Sequence, residues 1–319
     1  MLPIGSLTDV PQFVRRAEEI GLDGVWTAEA AHDAFLPLTL AAEHSERLIL
    51  GTGIAVAFAR TPMTLAVVAN DLQSYSQGRC ILGLGSQIRP HIEKRYSMPW
   101  SHPAERMKEM VRALRAIWHT WATGERLDFR GEFYTHTLMT PMFDPGPNPY
   151  GPPKVYVAGV GPRMTEVAGE VADGFIVHPF TTSRYLAERI LPALEQGLAK
   201  SGRTRADIEI GFPGFTVETG AAEAELTLAA RNQLAFYGST PAYHPVLEPH
   251  GWLDLGHELN ALSKSDTPDK WRRMGDLVPD DVVQEFTVFA DADAMRKSIA
   301  ERFAGLVDRF TLPPRTLTG

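Results

Sequence analysis

The stretch that decides the fold runs from Lys154 to Phe175 and reads KVYVAGVGPRMTEVAGEVADGF. Its apolar residues 155–157 are typical of a buried parallel strand. Gly159 and Gly161 follow, and there the backbone can turn tightly and come close to a ligand. Pro162 suits the first turn of a helix, where its missing N–H costs nothing. The stretch therefore predicts a strand, a glycine-rich loop and a helix in succession.

The loop of this unit is a candidate phosphate site. A helix that begins there directs free backbone N–H groups and the positive end of its dipole at the loop. Arg163 would add a guanidinium to the same place. A plain glycine-rich turn between a strand and a helix explains the same residues equally well.

The composition is that of a globular protein with room for one large domain or two smaller ones. The 319 residues are 44% hydrophobic and 22% charged. A net charge of -8 without a long basic run argues against nucleic acid and membrane partners. No signal peptide is visible, and the apolar run Leu48–Ala59 is too short to span a bilayer. The single cysteine, Cys80, excludes an intrachain disulfide and fits a reducing cytoplasm.

Strand-like and helix-like segments alternate from end to end. The predicted strands are Leu2–Ile4, Gly24–Trp26, Leu48–Phe58, Cys80–Leu84, Lys154–Val157, Phe175–Val177, Ile208–Val217 and Arg309–Leu312. The alternation predicts a parallel sheet with right-handed crossovers. Eight strands favour an α/β fold of the (β/α)8 TIM barrel class over an open doubly wound sheet. Because no linker is visible, we expect one domain over residues 1–319.

In such a barrel, binding and catalytic residues lie at the C-terminal ends of the strands. This rule gathers Glu29 and His32, residues 53–60, residues 86–91, residues 159–163 and His178 around one mouth. Two long insertions, Ser86–Pro103 and Tyr237–Val283, leave from the same face and are interpreted as lids.

Five sequence motifs occur in a characteristic order. They are Gly24-Val25-Trp26 followed by Glu29, Leu50-Gly51-Thr52-Gly53-Ile54 followed by Arg60-Thr61-Pro62, Gly78-Arg79 leading to Leu82-Gly83-Leu84-Gly85, the hairpin Phe129–Tyr134, and Gly161-Pro162 with Ala168-Gly169 and Ala172-Asp173-Gly174. Together they resemble the bacterial luciferase-like superfamily and, within it, the coenzyme F420-dependent oxidoreductases. Their order and spacing are specific for the superfamily, less so for the cofactor, and they do not indicate a substrate.

The resemblance implies a barrel with coenzyme F420 in its mouth, or flavin mononucleotide (FMN) as the alternative cofactor. The implied cofactor-binding residues are Gly53, Ile54 and Val56 beside the ring, Ser86 and Gln87 at the ring or its tail, and Ala158, Gly159, Val160, Gly161 and Arg163 at the phosphate. A non-proline cis peptide bond between Gly53 and Ile54 is also implied, with an ordinary trans bulge as the alternative.

The implied activity is hydride transfer between the cofactor and an unidentified small organic molecule. An FMN-dependent luciferase-like monooxygenase and a non-catalytic flavin-binding homologue are the alternatives. The resemblance further implies a homodimer that associates through the early helices, and the single cysteine predicts a cytoplasmic location.

Glu29, His32 and His178 are the catalytic candidates. Many relatives have an acidic residue directly followed by histidine after the second strand, whereas here two alanines separate Glu29 from His32. His32 suits proton transfer but is equally explained as a solvent-exposed loop residue. His178 either reaches the cofactor ring or only caps a strand end. His244 and His250 lack the helical spacing of metal ligands, so no metal is predicted.

Overall fold

Helices and strands alternate along residues 1–2 and 6–312, the part of the chain that the computed structural model describes. The strands are β1 (Gly24–Thr27), β2 (Ile49–Thr52), β3 (Ala55–Val56), β4 (Cys80–Gly85), β5 (Phe129–Arg130), β6 (Thr135–His136), β7 (Lys154–Gly159), β8 (Gly174–Val177), β9 (Glu209–Phe212), β10 (Phe215–Glu218), β11 (Thr287–Ala290) and β12 (Arg309–Phe310). The α-helices are α1 (Val10–Glu19), α2 (Leu36–Glu43), α3 (Pro62–Tyr75), α4 (Pro103–Thr123), α5 (Pro162–Val171), α6 (Ser183–Tyr185), α7 (Leu191–Lys200), α8 (Glu223–Gly238), α9 (His244–Leu247), α10 (Leu253–Ser263), α11 (Lys270–Leu277), α12 (Asp280–Phe286) and α13 (Met295–Arg302).

One curled parallel sheet organises the molecule. Its strand order is β1-β2-β4-β7-β8-β9-β12, and β3 pairs with β4. In the register of this sheet, Val25 lies opposite Leu50, and Gly159 lies opposite Val177. Because all these strands are parallel, their C-terminal ends meet at one edge. The predicted β/α barrel architecture is therefore confirmed.

Glycines inside the sheet make room for large side chains and for close strand contacts. A Cβ atom on Gly51 would lie 2.3 Å from a ring carbon of Trp26, and one on Gly174 would lie 2.4 Å from Tyr156. A Cβ atom on Gly83 would lie 1.9 Å from the carbonyl oxygen of Thr52. Each distance is too short for any side chain, so these positions require glycine.

Helix α4 packs on the barrel through its apolar face and on α5 through ion pairs. Met107, Val111 and Leu114 of α4 are fully buried, as its helical periodicity predicts. On the outer side, Arg112 Nη2 lies 2.9 Å from Glu170 Oε1, and Lys108 also pairs with Glu170. These contacts fix the helix that follows the glycine-rich loop relative to the barrel.

The structure corrects several predicted strand boundaries. The predicted strand Leu48–Phe58 divides into β2 and β3, and the predicted strand Ile208–Val217 divides into β9 and β10. In the second case Pro213 cannot donate to a ladder and interrupts the pairing. Strand β11 was not predicted from the sequence and forms because it pairs with β10. Of the predicted first strand, Leu2 donates its N–H to Trp26 O at 2.7 Å, whereas Pro3 and Ile4 lie outside the described residues.

The first residues of β7, β9 and β12 meet in a charged cluster at the end of the barrel opposite the mouth. Glu209 Oε2 accepts hydrogen bonds from Tyr156 Oη and Arg309 Nε, both at 2.6 Å, and Glu209 Oε1 accepts one from Lys154 Nζ at 2.5 Å. Burial alone would raise the pKa of Glu209, but these three hydrogen bonds outweigh it and lower the pKa to about 2. The carboxylate thus connects three strands as an anion.

We expect the substitution Glu209→Gln to lower the free energy of unfolding at pH 7 by about 1–2 kcal/mol, since it leaves the half-exposed Lys154 and the partly buried Arg309 without their anion. A depressed pKa contributes stability above the unfolded pKa, near 4.5, and loses it as the pH falls towards 2. The difference between wild type and variant should therefore shrink below about pH 4.5. Urea unfolding at a series of pH values measures it. Glu218→Gln, at an exposed position at the end of β10, is the control and should change stability little; an equal loss there would contradict the prediction.

Candidate functional site

The structure brings the sequence-predicted site residues to the C-terminal edge of the sheet. Glu29 and His32 follow β1, Gly53 and Ile54 lie between β2 and β3, Ser86 and Gln87 follow β4, Gly159–Arg163 join β7 to α5, and His178 follows β8. We call this edge, with the loops that surround it, the mouth. Most of these residues are partly or fully exposed, so they form an accessible surface.

The peptide bond between Gly53 and Ile54 is cis, as predicted. Gly53 donates its N–H to Thr27 O at 2.6 Å, and Ile54 O accepts from the N–H of Glu29 at 3.1 Å. The Ile54 side chain lies over Gly85, where an added Cβ atom would come within 2.7 Å of Ile54 Cγ1. The end of β2 is thereby fixed against the strands on both sides.

Glu29 is almost fully enclosed, with 8% of its side chain exposed. Its Oε2 atom accepts hydrogen bonds from Val56 N at 2.7 Å and from Arg60 Nη1 at 2.6 Å. Its Oε1 atom accepts one from Tyr96 Oη at 3.4 Å. Arg60 also pairs with Asp33, with 3.1 Å between Nη2 and Oδ2. The carboxylate therefore connects the loops after β1, β3 and β4.

Val56 does not reach the surface of the mouth. Its side chain is fully buried, and its N–H is occupied by Glu29. The predicted contact of Val56 with a cofactor stays a prediction, and the backbone N–H of Val56 is already paired with Glu29. A residue at the end of an apolar strand segment points either inwards or outwards, and the sequence alone does not decide between the two.

His32 lies exposed on the loop after β1. The same loop is held by Arg95, whose guanidinium donates to Ala30 O, and Arg95 belongs to the π-helical turn His91–Arg95. The insertion after β4 thus folds over the loop that carries His32. This contact supports the interpretation of that insertion as a cover of the mouth.

Ser86 and Gln87 form a tight turn directly after β4. Ser86 Oγ donates to Gln87 O at 3.1 Å. Gln87 has a φ of 58°, in the left-handed region that non-glycine residues rarely adopt. Both residues are partly exposed.

The loop Gly159–Arg163 is a narrow cradle before helix α5. A Cβ atom on Gly159 would lie 2.8 Å from Met164 Cγ, so the loop packs tightly on its protein side. A Cβ atom on Gly161 would meet nothing within 4 Å, so the loop is open on the other side. Gly161 has extended backbone angles at the N-cap, and Pro162 begins the helix, as predicted. Such a helix start offers its free N–H groups to an anion.

Arg163 lies beside the cradle between two carboxylates. Its Nε atom lies 3.1 Å from Glu105 Oε1, and its Nη1 atom lies 3.0 Å from Glu166 Oε2. Hydrogen bonds with Glu166 and Glu105 raise the pKa of this guanidinium. Because Arg163 and Glu105 are both about half exposed, an anion in the cradle can compete with Glu105 for the guanidinium at little cost.

His178 lies among aromatic side chains rather than polar ones. Its ring stacks on Tyr243 with 4.4 Å between centroids and an interplanar angle of 23°, and it meets the edge of Tyr237 at 4.8 Å. Its Nδ1 atom accepts a hydrogen bond from Phe180 N at 3.1 Å. Burial lowers the pKa of His178 to about 4, so the imidazole is neutral at pH 7.

Sequence reasoning missed Tyr96 as a partner of Glu29 and left the roles of Tyr237 and Tyr243 open. No periodic pattern marks these positions, because they lie in the two insertions and reach the mouth only through the fold. Within residues 1–2 and 6–312, no cluster of three or more His, Cys, Asp or Glu side chains is suited to hold a metal ion. No helix in that part of the chain is long and apolar enough to cross a bilayer.

Comparison with known proteins gives matches over nearly the whole chain. A relative from Mycobacterium tuberculosis, described as an uncharacterized protein, is 57% identical over 92% of this chain and 86% of its own length. An F420-dependent glucose-6-phosphate dehydrogenase from Intrasporangium calvum is 34% identical over 91% of this chain and 90% of its own length. The solved structure of the coenzyme F420 dependent tetrahydromethanopterin reductase from Methanopyrus kandleri superposes with a TM-score of 0.80 at 20% identity, over 99% of this chain and 94% of that one.

The likeness in fold and the likeness in sequence agree. The superposition with the reductase extends over 99% of this chain. A family model described as luciferase-like monooxygenase matches residues 2–309. The chain therefore belongs to the luciferase-like monooxygenase family.

Proposed function

We propose that the protein is a coenzyme F420-dependent oxidoreductase that transfers a hydride between the cofactor and a small organic molecule. Two relatives at 34% and 31% identity, each aligned over more than nine-tenths of this chain, are named F420-dependent glucose-6-phosphate dehydrogenases. The deazaflavin ring of the coenzyme supplies the hydride chemistry, and the protein supplies binding, orientation and exclusion of water.

The observation that carries this proposal is the open cradle at the start of α5, on the same edge as the end of β2. A phosphate at Gly159–Gly161 would meet free helix N–H groups, and no side chain obstructs it at Gly161. Ala158 and Val160 flank these glycines and are partly exposed. We assign Gly53 and Ile54 to one face of the ring, and Ser86 and Gln87 to its edge or tail. The residues present therefore fit a phosphorylated ring cofactor.

We assign the proton-transfer role to His32 and a positioning role to Glu29. His32 is exposed at the mouth, where a substrate can reach its imidazole. Glu29 is enclosed by Val56, Arg60 and Tyr96, so its carboxylate serves to hold the surrounding loops. Loss of Glu29 would displace the loop that carries His32.

We also propose a cytoplasmic homodimer. Leu36 on α2 and Val67 and Tyr75 on α3 are large apolar residues with 58%, 44% and 52% of their surface exposed. Exposed apolar groups on neighbouring helices are typical of a surface that a second copy covers.

The direct test is to titrate the purified protein with coenzyme F420 and, separately, with FMN. We expect saturable binding of coenzyme F420, which the change in its absorbance measures, and weaker binding of FMN. The reason is that two relatives with a named activity are F420-dependent. Tight binding of FMN with none of coenzyme F420 would instead favour the monooxygenase alternative. Binding of coenzyme F420 without hydride transfer across a broad substrate panel would favour a non-catalytic homologue.

The second test addresses the phosphate end. We expect Arg163→Ala to raise the dissociation constant for coenzyme F420 about tenfold or more, since a charged hydrogen bond contributes roughly 1.5–3 kcal/mol. The turnover number at saturating cofactor should stay nearly constant. Arg112→Ala is the matched control, because Arg112 also makes an exposed ion pair with a glutamate of α5 but lies outside the cradle. Equal effects of the two substitutions would place the phosphate elsewhere.

A further inference from the structure

One side of the mouth is built from aromatic side chains. We call it the aromatic wall and define it by His178, Phe180, Phe215, Tyr237 and Tyr243. Tyr237 lies within 6.5 Å of Phe215 and within 6.1 Å of Phe180, measured between ring centroids. Four of the five residues are partly exposed, whereas Phe180 is buried behind them against Phe286. The wall therefore presents ring surfaces and edges to whatever enters the mouth.

The wall stands directly beside the proposed cofactor site. Gly159, which begins the cradle, lies opposite Val177 in the sheet, and His178 is the next residue along. Adjacent strands lie about 4.8 Å apart, so the backbone of His178 is a close neighbour of the cradle. Tyr237 lies in the last turn of α8 and Tyr243 in the segment that follows it, and both rings contact His178 at the end of β8. A molecule held between ring and wall would contact both.

The hydrogen bond at Nδ1 fixes the state of the His178 ring. Because the N–H of Phe180 donates to Nδ1, this nitrogen carries no proton, and the proton of the neutral ring is on Nε2. Within residues 1–2 and 6–312 no hydrogen bond occupies Nε2, and this atom is not among the fully buried polar atoms. Stacking on Tyr243 holds the ring plane. The result is an oriented N–H donor for which the described residues supply no acceptor.

The wall is uncharged at neutral pH. His178 is neutral because burial lowers its pKa to about 4. Burial also raises the pKa of the hydroxyls of Tyr237 and Tyr243, so both keep their protons. Phe180 and Phe215 contribute no charge. An anionic group placed against this wall would lose water without gaining a cation, which is costly.

We propose that the aromatic wall is the substrate subsite and takes an uncharged, ring-shaped molecule whose carbonyl or hydroxyl oxygen accepts a hydrogen bond from His178 Nε2–H. The proposal rests on the proposed function, since a hydride acceptor or donor carbon next to that oxygen would face the cofactor ring. A preference for an uncharged substrate would distinguish this chain from the relatives named as glucose-6-phosphate dehydrogenases, because glucose 6-phosphate carries a doubly charged phosphate group. His178 is then a substrate-binding donor rather than the residue that transfers the proton.

The test uses the full-length protein labelled with ¹⁵N-histidine, without cofactor, so that its outcome does not depend on the proposed function. His178 is assigned as the resonance lost in His178→Phe. We expect the chemical shifts of a neutral ring protonated at Nε2 at pH 7, and a saturable shift on addition of cyclohexanone but not of glucose 6-phosphate. A ring protonated at Nδ1, no response to cyclohexanone, or a stronger response to glucose 6-phosphate would overturn the proposal.

Two pairs of variants separate binding from structure. His178→Phe keeps an aromatic ring but loses the donor, and should weaken cyclohexanone binding about three- to tenfold, the effect of one neutral hydrogen bond. His178→Gln keeps an N–H donor and should recover part of that loss. Tyr243→Leu should weaken binding, whereas Tyr243→Phe, which keeps the ring, should not. If His178→Phe lowers the melting temperature and leaves cyclohexanone affinity unchanged, the histidine is only structural and the proposal fails.

The same titrations, repeated with coenzyme F420 present, distinguish the two proposals. If coenzyme F420 does not bind but cyclohexanone still shifts His178, the proposed function fails and the subsite stands. If coenzyme F420 binds and cyclohexanone does not, the subsite fails and the proposed function stands.

Discussion

A carboxylate that leaves water must find donors, and the mouth of this barrel is arranged around one that does. Glu29 accepts from a backbone N–H, a guanidinium and a phenol, which come from Val56, Arg60 and Tyr96. An enclosed charge that lost any of these partners would be destabilised by several kcal/mol, on the order of 3–5 for an ion pair. One side chain therefore fixes the relative positions of the loops after three strands. The positions of the accessible residues of the site, including His32, depend on this arrangement of the loops.

The second constraint is steric and acts on the backbone. Gly83 and Gly85 of β4 have no space for a side chain, because Thr52 O lies against the first and the Ile54 side chain against the second. This close approach brings the end of β2 over β4 and leaves Gly53 and Ile54 partly exposed at the mouth. Glycines here thus serve packing inside the protein, whereas Gly161 faces open space. Gly161 is therefore the glycine of this edge at which the backbone is accessible from outside.

The sequence allowed the barrel to be predicted because its signals are local. Apolar runs marked β4, β7 and β8, and the helical periodicity of residues 104–121 marked α4. Strand breaks were harder to predict, since Leu48–Phe58 is apolar throughout and the cis peptide that divides it was expected only by resemblance. Strand β11 was missed because its four residues form a strand only through their pairing with β10. Local pattern cannot indicate a contact that depends on a partner distant in the chain.

The same distinction explains which site residues were predictable. Residues that follow a strand directly, such as Glu29, Ser86 and Gly159, could be placed at the mouth by topology alone. The roles of such residues could not be predicted, because they depend on how far each side chain is buried. The carboxylate of Glu29 is enclosed and shared among loops, and the side chain of Val56 is buried. Arg79 is a further case, since its guanidinium is bound by Ser45 and by the carbonyl oxygens of Leu48 and Ser76. This part of the family motif is therefore structural rather than catalytic.

The mouth has two regions of different construction, the edge of the barrel and the aromatic wall. The cradle and the end of β2 belong to the barrel itself, where the close packing at Gly83, Gly85 and Gly159 leaves the backbone little room to change. The aromatic wall draws Tyr237 from the last turn of α8 and Tyr243 from the segment that follows, which carries α9 to α12 and contributes no strand to the barrel sheet. Side chains on such a segment can change without disturbing strand pairing. Within a family, residues on such segments outside a common scaffold are those expected to vary with the substrate.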